Sequence, residues 1–136
     1  MKKVLKIIAL LITILIVGLI GLFMYFANEL CANKIHSELL SPNKSIKAVI
    51  FQRDCGATTG FSTHISILDS KQTLENDSGN IFIIKGHPNN VAPILNWQNN
   101  KVLNINYKLN GNEFKSKNSF GLINSTSITY NNQTPQ

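Results

Sequence analysis

The chain is short of the residues that announce a chemistry. It holds two cysteines and three histidines in 136 residues. His36, His64 and His87 stand far apart and without ligand spacing, so no metal site is assigned. No run of lysine or arginine interleaved with aromatic residues exists, which argues against nucleic acid as a partner despite a pI near 9.5. Of thirteen basic residues three (Lys2, Lys3 and Lys6) come before the first apolar run, leaving ten against seven acids, a net +3. That balance reads as a solvated surface with some attraction to anionic lipid. No third group stands out to orient a nucleophile and base, so no catalytic residue and no cofactor are assigned.

What is present begins with Ile7 to Ala27, IIALLITILIVGLIGLFMYFA, behind the basic flank of residues 1–6. Such a helix is about 31 Å long, enough to cross a hydrocarbon core of about 30 Å. Residues 7–27 are therefore expected to be a transmembrane helix, with the lipid bilayer as their partner. Thr13 can bond a carbonyl one turn back at little cost. Gly18 and Gly21 are three apart, so the small-xxx-small dimer motif is missing. A cleaved signal peptide is the competing reading. The run is longer than an h-region, and Asn28-Glu29-Leu30-Cys31 offers no A-x-A site, which favours an uncleaved anchor. Leu30 and Glu29 also depart from the small residues that precede a lipid-modified cysteine. Lysines on the N-terminal side place Met1 in the cytoplasm and the rest outside the cytoplasmic membrane, periplasmic or extracellular.

Residues 28–130 then suffice for one small domain, and residues 131–136, rich in polar residues, form a fraying tail. Asn33 to Leu40 fits a short helix or a strand. Ser41-Pro42-Asn43-Lys44-Ser45 is a turn cluster, and Ile46 to Arg53 has strand composition. With Asn43 at the centre of a hairpin, Leu39 faces Lys47, Ser37 faces Val49, and Ile35 faces Phe51. Continuing the ladder sets Cys31 opposite Cys55. In an oxidising compartment this symmetry is best read as a disulfide closing the hairpin. A slip of one residue would spoil it.

The disulfide would hold Arg53-Asp54-Cys55-Gly56-Ala57-Thr58-Thr59-Gly60 near the membrane surface. Arg53, Asp54, Gly56, Thr58, Thr59 and Gly60 are the candidate binding loop, in which backbone amides and two hydroxyls could cradle an anion beside Arg53. The plainer alternative is a strand connection whose glycines permit unusual dihedrals. A thiol enzyme with Cys55 as nucleophile and His64 as base would need Cys55 free.

Phe61 to Asp69 alternates, with Phe61, Thr63, Ile65 and Ile67 on one face and Ser62, His64, Ser66 and Leu68 on the other, polar face, where His64 is expected to be solvated. Residues 70–80 read as a polar connection ending in the turn signal Asp77-Ser78-Gly79-Asn80. Ile81 to Lys85 is apolar on both faces and expected to be central or covered. Val91 to Trp97 and Val102 to Leu109 form a second hairpin, with Trp97 as a core anchor. Asn110-Gly111 signals a further hairpin into Glu113-Phe114-Lys115. Ser125 to Tyr130 is a last strand. The fold class is mainly β: an N-terminal transmembrane helix followed by a small antiparallel domain of six to eight short strands built of hairpins. An echo between the turns at Pro42–Ser45 and Gln98–Lys101 leaves two arrangements open, a sandwich or one to two propeller-blade-like sheets.

Ser41-Pro42-Asn43-Lys44, then Lys47-Ala48-Val49-Ile50-Phe51, RDCGATTGFST over Arg53–Thr63 and Ser66-Ile67-Leu68 together resemble a group of small bacterial membrane or envelope proteins of unknown function. The resemblance covers about residues 31–107, with RDCGATTGFST as its specific part. Those sequences often read Ser-Pro-Asp-Gly-Lys where Ser-Pro-Asn-Lys-Ser stands here. It implies a bacterial envelope location and a single domain, and supplies no catalytic residue. The expected role is non-enzymatic binding to an envelope protein partner, with a thiol enzyme or a structural assembly factor as alternatives.

Overall fold

The computed structural model describes residues 1–56, 59–123 and 125–131. The chain divides into two compact units, Met1–Cys31 and Ala32–Gln136. The first is helix α1, Lys2–Glu29, of 28 residues. Its stretch Lys2–Phe26 is long and apolar enough to cross a membrane. The helix takes in the basic flank because lysine is a good helix former and nothing in Lys2–Lys6 breaks the ladder. Thr13 Oγ1 donates to the Ala9 carbonyl at 2.9 Å, so this hydroxyl is satisfied within the helix.

The second unit is mainly β, and no closed barrel forms among the described residues. Strands β1 (Ala32–Leu40), β2 (Ile46–Asp54), β3 (Phe61–Asp69), β4 (Phe82–Lys85) and β7 (Lys115–Ser116) make one sheet in that order. Strands β5 (Ile94–Asn99), β6 (Val102–Asn106), β9 (Thr126–Tyr130) and β8 (Ser119–Phe120) make the other. A short helix α2, Pro88–Val91, links β4 to β5. Ala48, Ile50, Ile65, Ile67, Phe82 and Ile84 of the first sheet share one core with Trp97, Leu103, Ile105 and Ile128 of the second. Of the two arrangements left open by the sequence this is the sandwich. Trp97 is buried as expected, and its Nε1 donates to the Leu39 carbonyl at 3.1 Å. The two echoing turns meet: the Asn43 amide donates to Asn100 Oδ1 at 2.9 Å.

Asn33 to Leu40 resolves as a strand, and the first hairpin follows the expected pairing at one end only. Ile35 pairs with Phe51, and the ladder continues to Ala32 with Asp54. Nearer the turn the partners move by one residue, Ser37 with Ile50 and Leu39 with Ala48, so the expected Leu39–Lys47 and Ser37–Val49 pairs are not made. The cause is the turn. The Ser41 amide donates to the Ile46 carbonyl at 2.9 Å, enclosing four residues, and Asn43 Oδ1 accepts from the Ser45 amide at 3.1 Å. A β-bulge between Ile35 and Ser37 takes up the extra residue and restores the first register. Cys31 and Cys55 are the next positions beyond this ladder, and they form the disulfide.

Lys44 in that turn has φ +57°, a left-handed conformation that costs a side chain about 1 kcal/mol. Lys44→Gly should therefore stabilise the domain by about 0.5 kcal/mol, the relief of strain being partly offset by greater freedom of the unfolded chain. Thermal denaturation would show a rise in Tm of about 2–4 °C.

Two expectations are corrected. The described residues contain nine strands, because β7 and β8 are two-residue strands too short to show a pattern. Asn110-Gly111 does not return the chain along β6. The Glu113 carboxylate accepts from the Asn110 and Gly111 amides at 2.9 and 3.0 Å, and the chain leaves to pair β7 with β4 in the other sheet. The last strand, β9, runs parallel to β6, the single parallel pairing among the described residues, in a domain that is otherwise antiparallel as expected.

Candidate functional site

The face of the five-stranded sheet turned away from the sandwich core is built as cross-strand rows. Register places Asn33, Arg53, Ser62 and Lys85 side by side on β1 to β4. The adjacent row is Ile35, Phe51, His64, Ile83 and Lys115. Alternation makes this the polar face of β3, but it is not solvated: His64 is 4% and Ser66 3% exposed. The polar connection of residues 70–80 lies on it.

Several polar side chains of the face hold part of that connection. Asn33 Nδ2 donates to the Glu75 and Asp77 carbonyls at 3.0 and 2.7 Å. Arg53 Nη1 donates to Asn33 Oδ1 at 2.8 Å and to the Asn76 carbonyl at 3.1 Å. Ser66 Oγ accepts from the Asn80 amide at 3.0 Å, and Lys115 Nζ donates to the Gly79 carbonyl at 2.7 Å. A Cβ built on Gly79 would lie 3.0 Å from His64 Cβ and from the carbonyl oxygens of Ile65 and Phe82. Glycine is required here by close approach to the sheet, so Gly79→Ala should cost about 1–2 kcal/mol in chemical denaturation.

His64 sits at the centre. Its Nδ1 accepts from the Gly79 amide at 2.8 Å, so the neutral ring carries its proton on Nε2. Nε2 lies 2.8 Å from Ser62 Oγ and donates to it, and that hydroxyl donates onward to the Arg53 carbonyl at 3.3 Å. Burial lowers the His64 pKa to about 4, aided by the charges of Arg53 and Lys115. The polarity is the reverse of a serine–histidine couple: the ring fixes the Ser62 proton outward and does not withdraw it. Burial likewise lowers the Arg53 pKa, while the charge of Asp77 raises it.

Past the edge of the covering segment the same face opens into a pocket of about 420 Å³. Arg53, Phe61, Ser62, His64, Ile83 and Lys85 come from the strands, Cys55, Thr59 and Gly60 from the β2–β3 connection, and Phe114 from the approach to β7. No aspartate or glutamate is among these lining residues. Phe61 and Phe114 are 45% and 68% exposed, and Phe61 meets His87 edge to face at 5.3 Å.

The candidate loop is thus partly drawn together and partly not. Arg53, Thr59 and Gly60 line the pocket; Asp54 and Gly56 do not. Asp54 Oδ1 accepts from the Gly56 amide at 3.0 Å, and the Thr59 amide and Oγ1 both donate to the Gly56 carbonyl at 3.3 and 3.2 Å. These donors face into the turn, which argues against the anion cradle at this place. Gly56 and Gly60 have φ of +100° and +68°, the unusual dihedrals of the plainer reading. Thr58 and Ala57 lie outside the described residues. Sequence reasoning missed Ser62, Lys85 and Phe114 as site residues. The first two are exposed by register once β2, β3 and β4 are aligned; Phe114 carried no signal, since it was read into a hairpin.

Among the described residues, no group of three or more His, Cys, Asp or Glu comes together as a metal site. No family model, curated protein or solved structure matches the chain.

Proposed function

We propose that the chain is a single-pass protein of the bacterial cytoplasmic membrane, N-terminus inside, whose β-domain binds another envelope component without catalysing a reaction. The observation that carries the binding role is the open pocket lined by Arg53, Lys85, Phe61 and Phe114, which sets positive charge beside exposed aromatic surface. The location rests on the apolar helix and on the disulfide that follows it, a bond that persists in oxidising compartments. A thiol enzyme is the less supported reading, because a bonded Cys55 presents no thiolate and His64 is a donor toward Ser62.

A photoreactive residue placed at Thr59 or Phe114, with Ile94 of β5 as control, tests the role in living cells. Cross-links to one envelope protein from positions 59 and 114 and not from 94 are expected, and Thr58→Ala with Thr59→Ala should weaken the adduct at position 114 without lowering Tm. The same adducts from all three positions, or none, would count against an interaction through this face.

A further inference from the structure

We propose that the pocket beside Phe61 and Phe114 takes a small organic anion with an apolar body, its charged group held by Lys85 and Arg53 and its body lying on the two phenylalanines. This rests on the reading of that face as the binding face of the domain.

Charge selects the sign. The row Arg53–Ser62–Lys85 sets two cations on either side of a hydroxyl, two strand spacings apart, about 10 Å between backbones. All hydrogen bonds from Arg53 to the described residues leave from Nη1. Arg53 is 7% exposed, and among the described residues no fully buried side-chain nitrogen or oxygen lacks a partner, so Nε and Nη2 keep only a narrow access from the pocket. Asp77 offsets part of the Arg53 charge. Lys85 has no such counterweight, since the ion pair found among the described residues joins Lys47 to Glu38. A cation would meet like charge here and no carboxylate, and a neutral ligand would leave the guanidinium and ammonium groups unanswered.

Surface selects the body. Two phenylalanines exposed at 45% and 68% beside Ile83 give an apolar wall next to the charges. At about 420 Å³ the pocket is within the size range of small-ligand sites. A bare inorganic anion would use the charges and leave the wall wet. A carboxylate or phosphate carrying a phenyl or short alkyl group uses both.

The full chain in nanodiscs of neutral lipid, with empty nanodiscs as background, would be titrated by calorimetry with phenylbutyrate, its alcohol and amine counterparts, alkyl phosphates and inorganic phosphate. Saturable binding of the apolar acids is expected, at least about tenfold tighter than that of the alcohol or of inorganic phosphate, with no binding of the amine. Lys85→Gln and Phe114→Ala, both at the pocket mouth, should each weaken it about tenfold. Equal binding of acid and alcohol, no saturable binding of any carboxylate or phosphate, or indifference to both substitutions would overturn the assignment. If the anions fail while cross-links at Thr59 persist, the pocket ligand falls and the interaction role stands. If the anions bind and no position cross-links, the envelope partner falls and the pocket ligand stands.

Discussion

Replacing Cys31 and Cys55 together by serine lowers the stability of the β-domain by about 3 kcal/mol. The bond closes a loop of roughly 25 residues, and releasing it returns that loop's entropy to the unfolded chain. Local structure adds a reason for the size of the effect. Strand β1 is exposed along almost its whole length and is held at the sheet edge by its ladder with β2, the Trp97 contact to Leu39 and the Asn33 bonds. With so little apolar surface buried by β1, the covalent tie is a large part of what keeps it docked. Urea denaturation followed through Trp97, the one tryptophan, would show the loss, and Tm should fall by about 12–24 °C. A change below about 1 kcal/mol would mean that the hairpin persists in the unfolded ensemble without the bond.

Acid weakens the domain through His64. The ring takes up a proton near pH 6.5 when unfolded and only near pH 4 when folded. Above pH 6.5 both states are neutral and the full stability is present. As pH falls from 6.5 toward 4 the unfolded state binds more protons, so stability is lost over that window, by about 2–3 kcal/mol at its lower end. Protonation also turns Nδ1 into a donor facing the Gly79 amide at 2.8 Å, donor against donor, so the segment over the sheet should detach first. His64→Gln keeps a side chain that can accept and donate while removing the titration. Urea denaturation at pH 7 and at pH 4.5 should show the wild-type chain losing about 2 kcal/mol more than the variant. Equal losses would show that some other group sets the acid limit.

Local pattern made the helix, the order of the first strands and the disulfide partner readable, because each depends on a run or an alternation within a few residues. The hairpin ladder reached Cys31–Cys55 for an incomplete reason. The turn at Ser41–Ile46 shifts the register by one, and the bulge beside His36 shifts it back, so two departures cancel before the cysteines. Periodicity reports which residues share a face and is silent on what covers that face. His64 alternates with the core residues of β3 and was therefore assigned to solvent; its burial depends on Gly79, fifteen residues away, whose lack of a side chain lets the backbone reach the ring. Long-range pairings were equally hidden. Nothing within Ser125–Tyr130 indicates a parallel neighbour, and Asn110-Gly111, a strong local hairpin signal, is overruled by the Glu113 carboxylate and by pairing of β7 to β4.

The proposed topology puts a disulfide-closed domain outside the membrane. A bulky, membrane-impermeant maleimide applied to intact cells, with and without prior reduction, tests both parts in one gel. Modification only after reduction is the predicted result, since Cys31 and Cys55 are bonded. Modification without reduction would place a free thiol outside and contradict the bond. Modification that requires permeabilised cells even after reduction would put the domain inside and contradict the topology.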